Sequence, residues 1–261
     1  MSSLKVAVIQ SDIAWEDKHQ NYTHFEKTIA GLEPCDLIVL PEMFNVGFTP
    51  NMDKAITPED EIISWLKHQA QYKNAAIIGS VVVLNNMQKA VNRLFFVTPE
   101  GLVSHYDKRH LFVLSDEYKL LSAGQSREIV HYKGFNILLS ICFDLRFPVF
   151  NCNNNDYDLL INIASWPAKR REHWRTLLQA RAIENQAYVI GCNRIGRDGL
   201  GFDYSGDSLC IHFDGEIKQD IATYTSGALY HTFDKGSLDD YRNNFKVLAS
   251  QDKFSLNLTT N

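Results

Sequence analysis

Short apolar runs, each cut off by a breaker, set the limits on what this chain can fold into: Leu4 to Ile9, Asp36 to Leu40, Ala75 to Leu84, Leu94 to Val97, Phe135 to Ile141, Leu159 to Ile163 and Tyr188 to Cys192. They are rich in β-branched and aromatic residues and too continuous for a sheet with one wet face, so they predict strands covered on both sides. Helical stretches alternate with them, which places the chain in the α/β class. Ala75 to Pro99 departs from the alternation and reads as adjacent strands around the Asn85 and Asn86 turn, with a further turn at Thr98 to Gly101. Parallel and antiparallel pairing should therefore mix. Thr57, Pro58 and Asp60 read as the capped start of a helix carrying Ile62, Ile63, Trp65 and Leu66. The clearest helix is Lys169 to Gln186, with Trp174, Leu177, Leu178 and Ala182 on one core stripe. Arg181 shares that face and must find a carboxylate, such as Glu184, or carbonyls as it is buried. The glycines between Gly191 and Gly206 lack the GxxxxGK pattern of a phosphate loop and read as turn residues.

Three of the runs end on chemistry. SICFDLRFP stops a strand at Cys142, because Asp144 to Pro148 break its pattern. LIVLPEMF places Glu42 just past a second strand, and YDKRHLF places Lys108 just past a third. Each has an ordinary alternative: a free cysteine is usually a small buried hydrophobe, a glutamate after a strand caps a turn, and a strand-end lysine is usually solvated.

Glu42, Lys108 and Cys142, in this order and on segments of this kind, resemble the nitrilase (carbon-nitrogen hydrolase) superfamily. The likeness continues through Glu117 in LSDEYKLLSAG, Trp166 in NIASWPAKR, HWRTLLQARAIENQAYVIGCNRIGRDG and YSGDS, and so covers Lys5 to about Gly215. PEMFNVGF, CFDLRFP and the tail segments YRNNF and KFSL are similar to the omega-amidase branch. The resemblance implies an αββα four-layer sandwich with mixed sheets, and a homodimer or higher homo-oligomer. It also implies hydrolysis of the terminal amide of short dicarboxylic acid monoamides, such as alpha-ketoglutaramate or alpha-ketosuccinamate. An N-carbamoyl amino acid amidase or a general aliphatic amidase would use the same four residues with a different pocket. A partner-binding module on the same fold is the non-enzymatic alternative.

Amide hydrolysis requires a nucleophile, a group that moves protons, and positive charge or N–H donors for the oxyanion. Cys142, Glu42 and Lys108 fit these roles in turn, with the Phe143 backbone N–H sharing the oxyanion. An unperturbed glutamate near pKa ~4.3 is a poor base for a thiol near ~8.5, a mismatch of roughly 5 to 6 kcal/mol. Lys108 is expected to lower the thiol pKa, and Glu117, beside it, to neutralise part of the ammonium charge. Arg146 can fork onto a substrate carboxylate or pair with Asp144 to hold the nucleophile turn. Trp166 is expected to form an apolar wall, and Phe44 and Phe48 to close the opposite side or join the core. His110 is expected to orient a loop by hydrogen bonding.

The 261 residues and 45% apolar content suffice for one large core, so one domain spanning 1–261 is expected, with a C-terminal extension from about 236. A formal net charge of -5 and a pI near 6.0 provide no footprint for nucleic acid or an anionic membrane, which leaves a small soluble amide substrate. MSSLKVAVIQ has one lysine and a short strand rather than a signal peptide, and five cysteines form no CxxC pair; both favour the reducing cytoplasm. No HExxH or paired-cysteine spacing occurs, and the proposed chemistry needs neither metal nor organic cofactor.

Overall fold

The computed structural model describes residues 2–257. Its strands are β1 (Ser3–Gln10), β2 (Leu37–Val39), β3 (Ala76–Leu84), β4 (Ala90–Val97), β5 (Val103–Asp107), β6 (Ile129–Tyr132), β7 (Phe135–Ile141), β8 (Leu159–Ala164), β9 (Tyr188–Asn193), β10 (Ile195–Arg197), β11 (Asp203–Ser205), β12 (Leu209–Ile211), β13 (Ile217–Asp220) and β14 (Gly227–Asp234). The helices are α1 (Lys18–Ala30), α2 (Met52–Ala55), α3 (Glu59–Lys73), α4 (Glu117–Leu120), α5 (Pro148–Asn151), α6 (Arg171–Asn185) and α7 (Lys235–Asn244). Two six-stranded sheets form, in the orders β14-β1-β2-β3-β4-β5 and β13-β12-β9-β8-β7-β6, with β10 and β11 as a separate hairpin. Pairing is parallel through β1-β2-β3 and β7-β8-β9, and antiparallel toward the edges.

Successive strand residues point to opposite faces, and that alternation sorts the apolar side chains into layers. Val6 and Val8 of β1 and Val39 of β2 meet Ile137, Leu139 and Ile141 of β7 in a core between the sheets. Their neighbours Ala7, Ile9 and Ile38 face Phe25 and Ile29 of α1 and Ile62 and Leu66 of α3. On the other sheet, Leu138, Leu160 and Val189 face Trp174, Leu178 and Ala182 of α6. The result is the αββα sandwich of the nitrilase type.

Each apolar run forms a strand, and the largest change is in β4, which begins at Ala90 rather than Leu94. Asn92 and Arg93 broke the pattern in the sequence, yet both are buried on paired partners, Asn92 on Glu42 and Arg93 on Asp107 and Glu59. The turns at Asn85 and at Thr98 to Gly101 form as expected. Arg181 meets both expected kinds of partner, donating to the Leu145 carbonyl and to Glu184.

Two local expectations fail. The α3 start has no side-chain cap: Thr57 Oγ1 accepts from Asn45 and donates to the Ala55 carbonyl, leaving Glu59, Asp60 and Glu61 to offset the helix dipole. Gly191 is not a turn residue but lies within β9, where a Cβ would sit 2.4 Å from Leu178 Cδ1. Glycine there lets α6 press onto the sheet. At the C-terminus, α7 carries Leu238 into the intersheet core, and its Arg242 and Lys235 both bind Asp158.

Candidate active site

Each reactive group sits just beyond the C-terminal end of a strand, where both sheets open to one cavity of about 280 Å³. Glu42 follows β2, Lys108 follows β5, Cys142 follows β7, and Ser165 and Trp166 follow β8. Cys142 leaves β7 with φ of +45° and Met43, next to Glu42, has φ of +47°. Left-handed backbone at non-glycine residues is strained, and here it turns the chain at Cys142 itself and immediately after Glu42.

The ammonium is the hub. Lys108 Nζ donates to Glu42 Oε1 at 2.9 Å and to Glu117 Oε1 and Oε2 at 2.9 and 3.0 Å, with all three side chains at most 2% exposed. Glu117, at the first position of α4, is tied down further by the Phe112 N–H at 2.6 Å. Glu42 also accepts from Asn92 Nδ2 at 2.9 Å and from the Ser165 N–H at 2.7 Å. Lys108, Glu117 and Cys142 line the cavity, and Glu42 lies one contact behind Lys108 and Ser165. The structure thus gathers Glu42, Lys108, Glu117 and Cys142 at one place.

Burial alone would favour a neutral amine at Lys108, but Glu117 and then Glu42 outweigh it and hold its pKa above the ordinary value. Burial, with Glu42 adding to it against the opposing Lys108, raises Glu117. Lys108 does act to lower the thiol, as expected, but it is outweighed. Burial first, and Glu42 next, push Cys142 well above the ordinary range, and the ammonium does not overcome them. One ammonium shared by two carboxylates leaves too little positive charge to stabilise a resting thiolate.

Asp144 braces the nucleophile turn. Its Oδ1 accepts from the His110 backbone N–H and from His110 Nδ1, and its Oδ2 from Tyr106 Oη and the Ile141 N–H. This set fills the carboxylate, and Arg146 does not pair with it. Arg146 instead lies 4.7 Å over the Trp166 ring, donates to His173 Nδ1 at 3.1 Å, and lines the cavity. Trp166 is both wall and platform, fixed by its indole N–H on the Arg170 carbonyl. Phe143 lines the cavity and packs edge-on against Phe112. The two expected phenylalanines separate: Phe48 faces the cavity with Lys108 over its ring, whereas Phe44 is sealed among Phe25, Tyr22 and Trp65.

Sequence reasoning missed Asn92, Ser165, the Tyr106 and Asp144 brace, and Arg170 in the cavity wall. Asn92 carried a signal, a carboxamide beside Arg93 in a strand whose remaining residues are apolar. Arg170 carried none, since Lys169, Arg170 and Arg171 together look like a solvated helix entry.

This sandwich, opening on a thiol, an ammonium and a carboxylate at its strand ends with a second carboxylate from α4, is the architecture of the nitrilase superfamily. The profile of the carbon-nitrogen hydrolase family matches residues 5–243, and the chain belongs to that family. It is 43% identical over 256 residues to omega-amidase YafV of Yersinia enterocolitica, covering 98% of this chain and 100% of the relative. It is 32% identical to the 2-oxoglutaramate amidase of Bacillus subtilis, covering 81% and 84%. Among solved structures, a CN-hydrolase superfamily protein of Xanthomonas campestris, which carries an arsenic adduct in its active site, superposes with a TM-score of 0.94 at 36% identity, covering 98% of this chain and 100% of the other.

Proposed function

We propose that this carbon-nitrogen hydrolase is an omega-amidase, releasing ammonia from the terminal amide of short dicarboxylic acid monoamides such as 2-oxoglutaramate. Cys142 Sγ attacks the amide carbonyl while Glu42 takes the thiol proton. Lys108 and the Phe143 N–H hold the tetrahedral oxygen, and Glu117 keeps Lys108 in place. Glu42 returns the proton to the departing nitrogen, ammonia leaves, and an acyl thioester remains on Cys142. Glu42 then takes a proton from water, whose oxygen displaces the sulfur and frees the carboxylic acid, and passes that proton to the departing Cys142 Sγ, which restores the thiol. A thiol held neutral at rest suits this order, because deprotonation accompanies attack rather than preceding it.

The observation that carries the substrate class is Arg146, a half-buried cation that has no acidic partner among the described residues and lines the same cavity as Cys142. A carboxylate at the far end of the substrate supplies the missing partner. The names of the relatives support the same class. The test is ammonia release from 2-oxo acid monoamides against N-carbamoyl amino acids on the purified protein; faster turnover of the carbamoyl compounds overturns the reading.

The proposal takes 1–261 as one hydrolase domain, with 1 and 258–261 lying outside the described residues. It also places the enzyme in the cytoplasm as a homo-oligomer. Five free cysteines support a reducing compartment. Among the described residues no helix is long and apolar enough to cross a membrane. Sedimentation of the purified protein tests the oligomer; a monomer at all concentrations refutes it.

A further inference from the structure

Arg170 is a second guanidinium in the cavity wall, and the acyl chemistry makes no use of it. It follows Trp166 by one turn, its carbonyl accepts the Trp166 indole N–H at 2.9 Å, and its guanidinium lies 5.3 Å over the Phe112 ring. Arg146 stacks on Trp166 in the same cavity. Among the described residues neither arginine has an acidic partner, whereas the carboxylates around the cavity are all committed. Glu42 and Glu117 hold Lys108, and Asp116 holds Lys119. Asp198 is filled by the Leu200 and Phe202 N–H groups and the Tyr204 hydroxyl. Burial and then the charge of Arg170 hold the Arg146 pKa below its ordinary value, the mark of two cations near enough to repel. Two such groups on aromatic platforms, with no acidic side chain paired to either among the described residues, form a site for a mobile anion.

We infer that Arg170 is a specificity-determining residue that grips the anionic end of the substrate jointly with Arg146. Two guanidinium forks offer more donors than one carboxylate accepts, so the ligand they fit is a carboxylate with another acceptor beside it, as in a 2-oxo acid. The inference rests on the amidase reading and deepens it.

The experiment compares kcat/KM for 2-oxoglutaramate with that for pentanamide, which has the same chain length and no charge, in wild type, Arg170→Gln and Arg170→Lys. In the glutamine variant the ratio of the two should fall about 10- to 100-fold, carried mainly by KM for the anion. The lysine variant, which keeps the charge and loses the fork, should retain more of the ratio. A ratio unchanged in the glutamine variant overturns the inference, even if both activities drop together, because that is how a purely structural residue behaves. A lysine variant no better than glutamine also overturns it. If the glutamine variant does not fold, calorimetry of 2-oxoglutarate binding to Arg170→Lys decides, and affinity equal to wild type counts against the role. A wild type that shows no preference for the anion over pentanamide defeats the omega-amidase reading itself, a different result from either.

Discussion

Glu117→Gln isolates the electrostatics of the buried hub. Glu117 Oε1 accepts from Lys108, and Oε2 accepts from both Lys108 and the Phe112 N–H. Glutamine keeps one acceptor, so its NH₂ must face either an ammonium or an amide N–H, and one buried donor is left opposed by another. Breaking a buried ion pair outright costs about 3 to 5 kcal/mol, but Lys108 still has Glu42, so the loss is nearer about 2 to 3 kcal/mol. At about 2 to 4 °C per kcal/mol for a chain of this size, Tm should fall by about 4 to 12 °C. Lys108, released on one side, shifts toward Glu42 and away from the position it must hold during attack. A displacement of that kind lowers kcat by about 100-fold. The assays are thermal unfolding and ammonia release, run on Glu117→Gln, Lys108→Met and the double variant. In the Lys108→Met background the glutamine change should cost at least about 1 kcal/mol less, since its partner has gone. A Tm within about 1 °C of wild type in the single variant, or strict additivity in the cycle, refutes the hub.

Cys142→Ala should fold and form no covalent adduct with a reactive amide analogue, and Glu42→Gln should lose turnover with the fold intact; near-normal ammonia release by either protein contradicts its role. Asn92→Leu removes the amide that donates to Glu42 Oε1 and should lower kcat by about tenfold or more with little change in KM, and a wild-type kcat would make that contact incidental. Stability should decline in alkali. Burial holds the thiols of Cys142 and Cys192 above 9.0 and the phenols of Tyr106 and Tyr157 above 10.0 in the folded protein. The unfolded chain sheds those protons first, so this contribution is complete below the ordinary thiol pKa and is lost as pH rises past it. Unfolding temperatures measured from about pH 8.5 to about 10.5 should fall, less steeply in Cys142→Ala; a flat or rising profile would show the thiols to be exposed.

The strands could be read from the chain because both faces of each sheet are buried, which makes the runs continuous and their ends sharp. Motif order brought together Glu42, Lys108, Glu117 and Cys142, though no local pattern indicates which strand ends become neighbours. What escaped the sequence was held by tertiary partners. Asn92 and Arg93 hid the start of β4 because their acids arrive from β2, β5 and α3. Thr57 resembled a cap until Asn45 claimed its hydroxyl. The thiol shift could not be assigned in direction without knowing that two buried carboxylates share one ammonium.

The same arrangement gives the cavity an electrical polarity. Its floor holds one ammonium against two carboxylates beside a neutral thiol, and its wall holds two arginines that have no acidic partner among the described residues. A monoamide acid entering carboxylate-first would bring a third negative charge to that floor, whereas the amide-first pose sets a neutral group there and the carboxylate on Arg146 and Arg170. Orientation is then decided by charge before any contact to the scissile bond is made. Hydrolysis converts the neutral end into a carboxylate beside Glu42 and Glu117, so the reaction creates the repulsion that expels its own product. On this argument product release should be fast, and the dicarboxylic acid product should bind more weakly than a substrate monoamide that keeps the same anionic end.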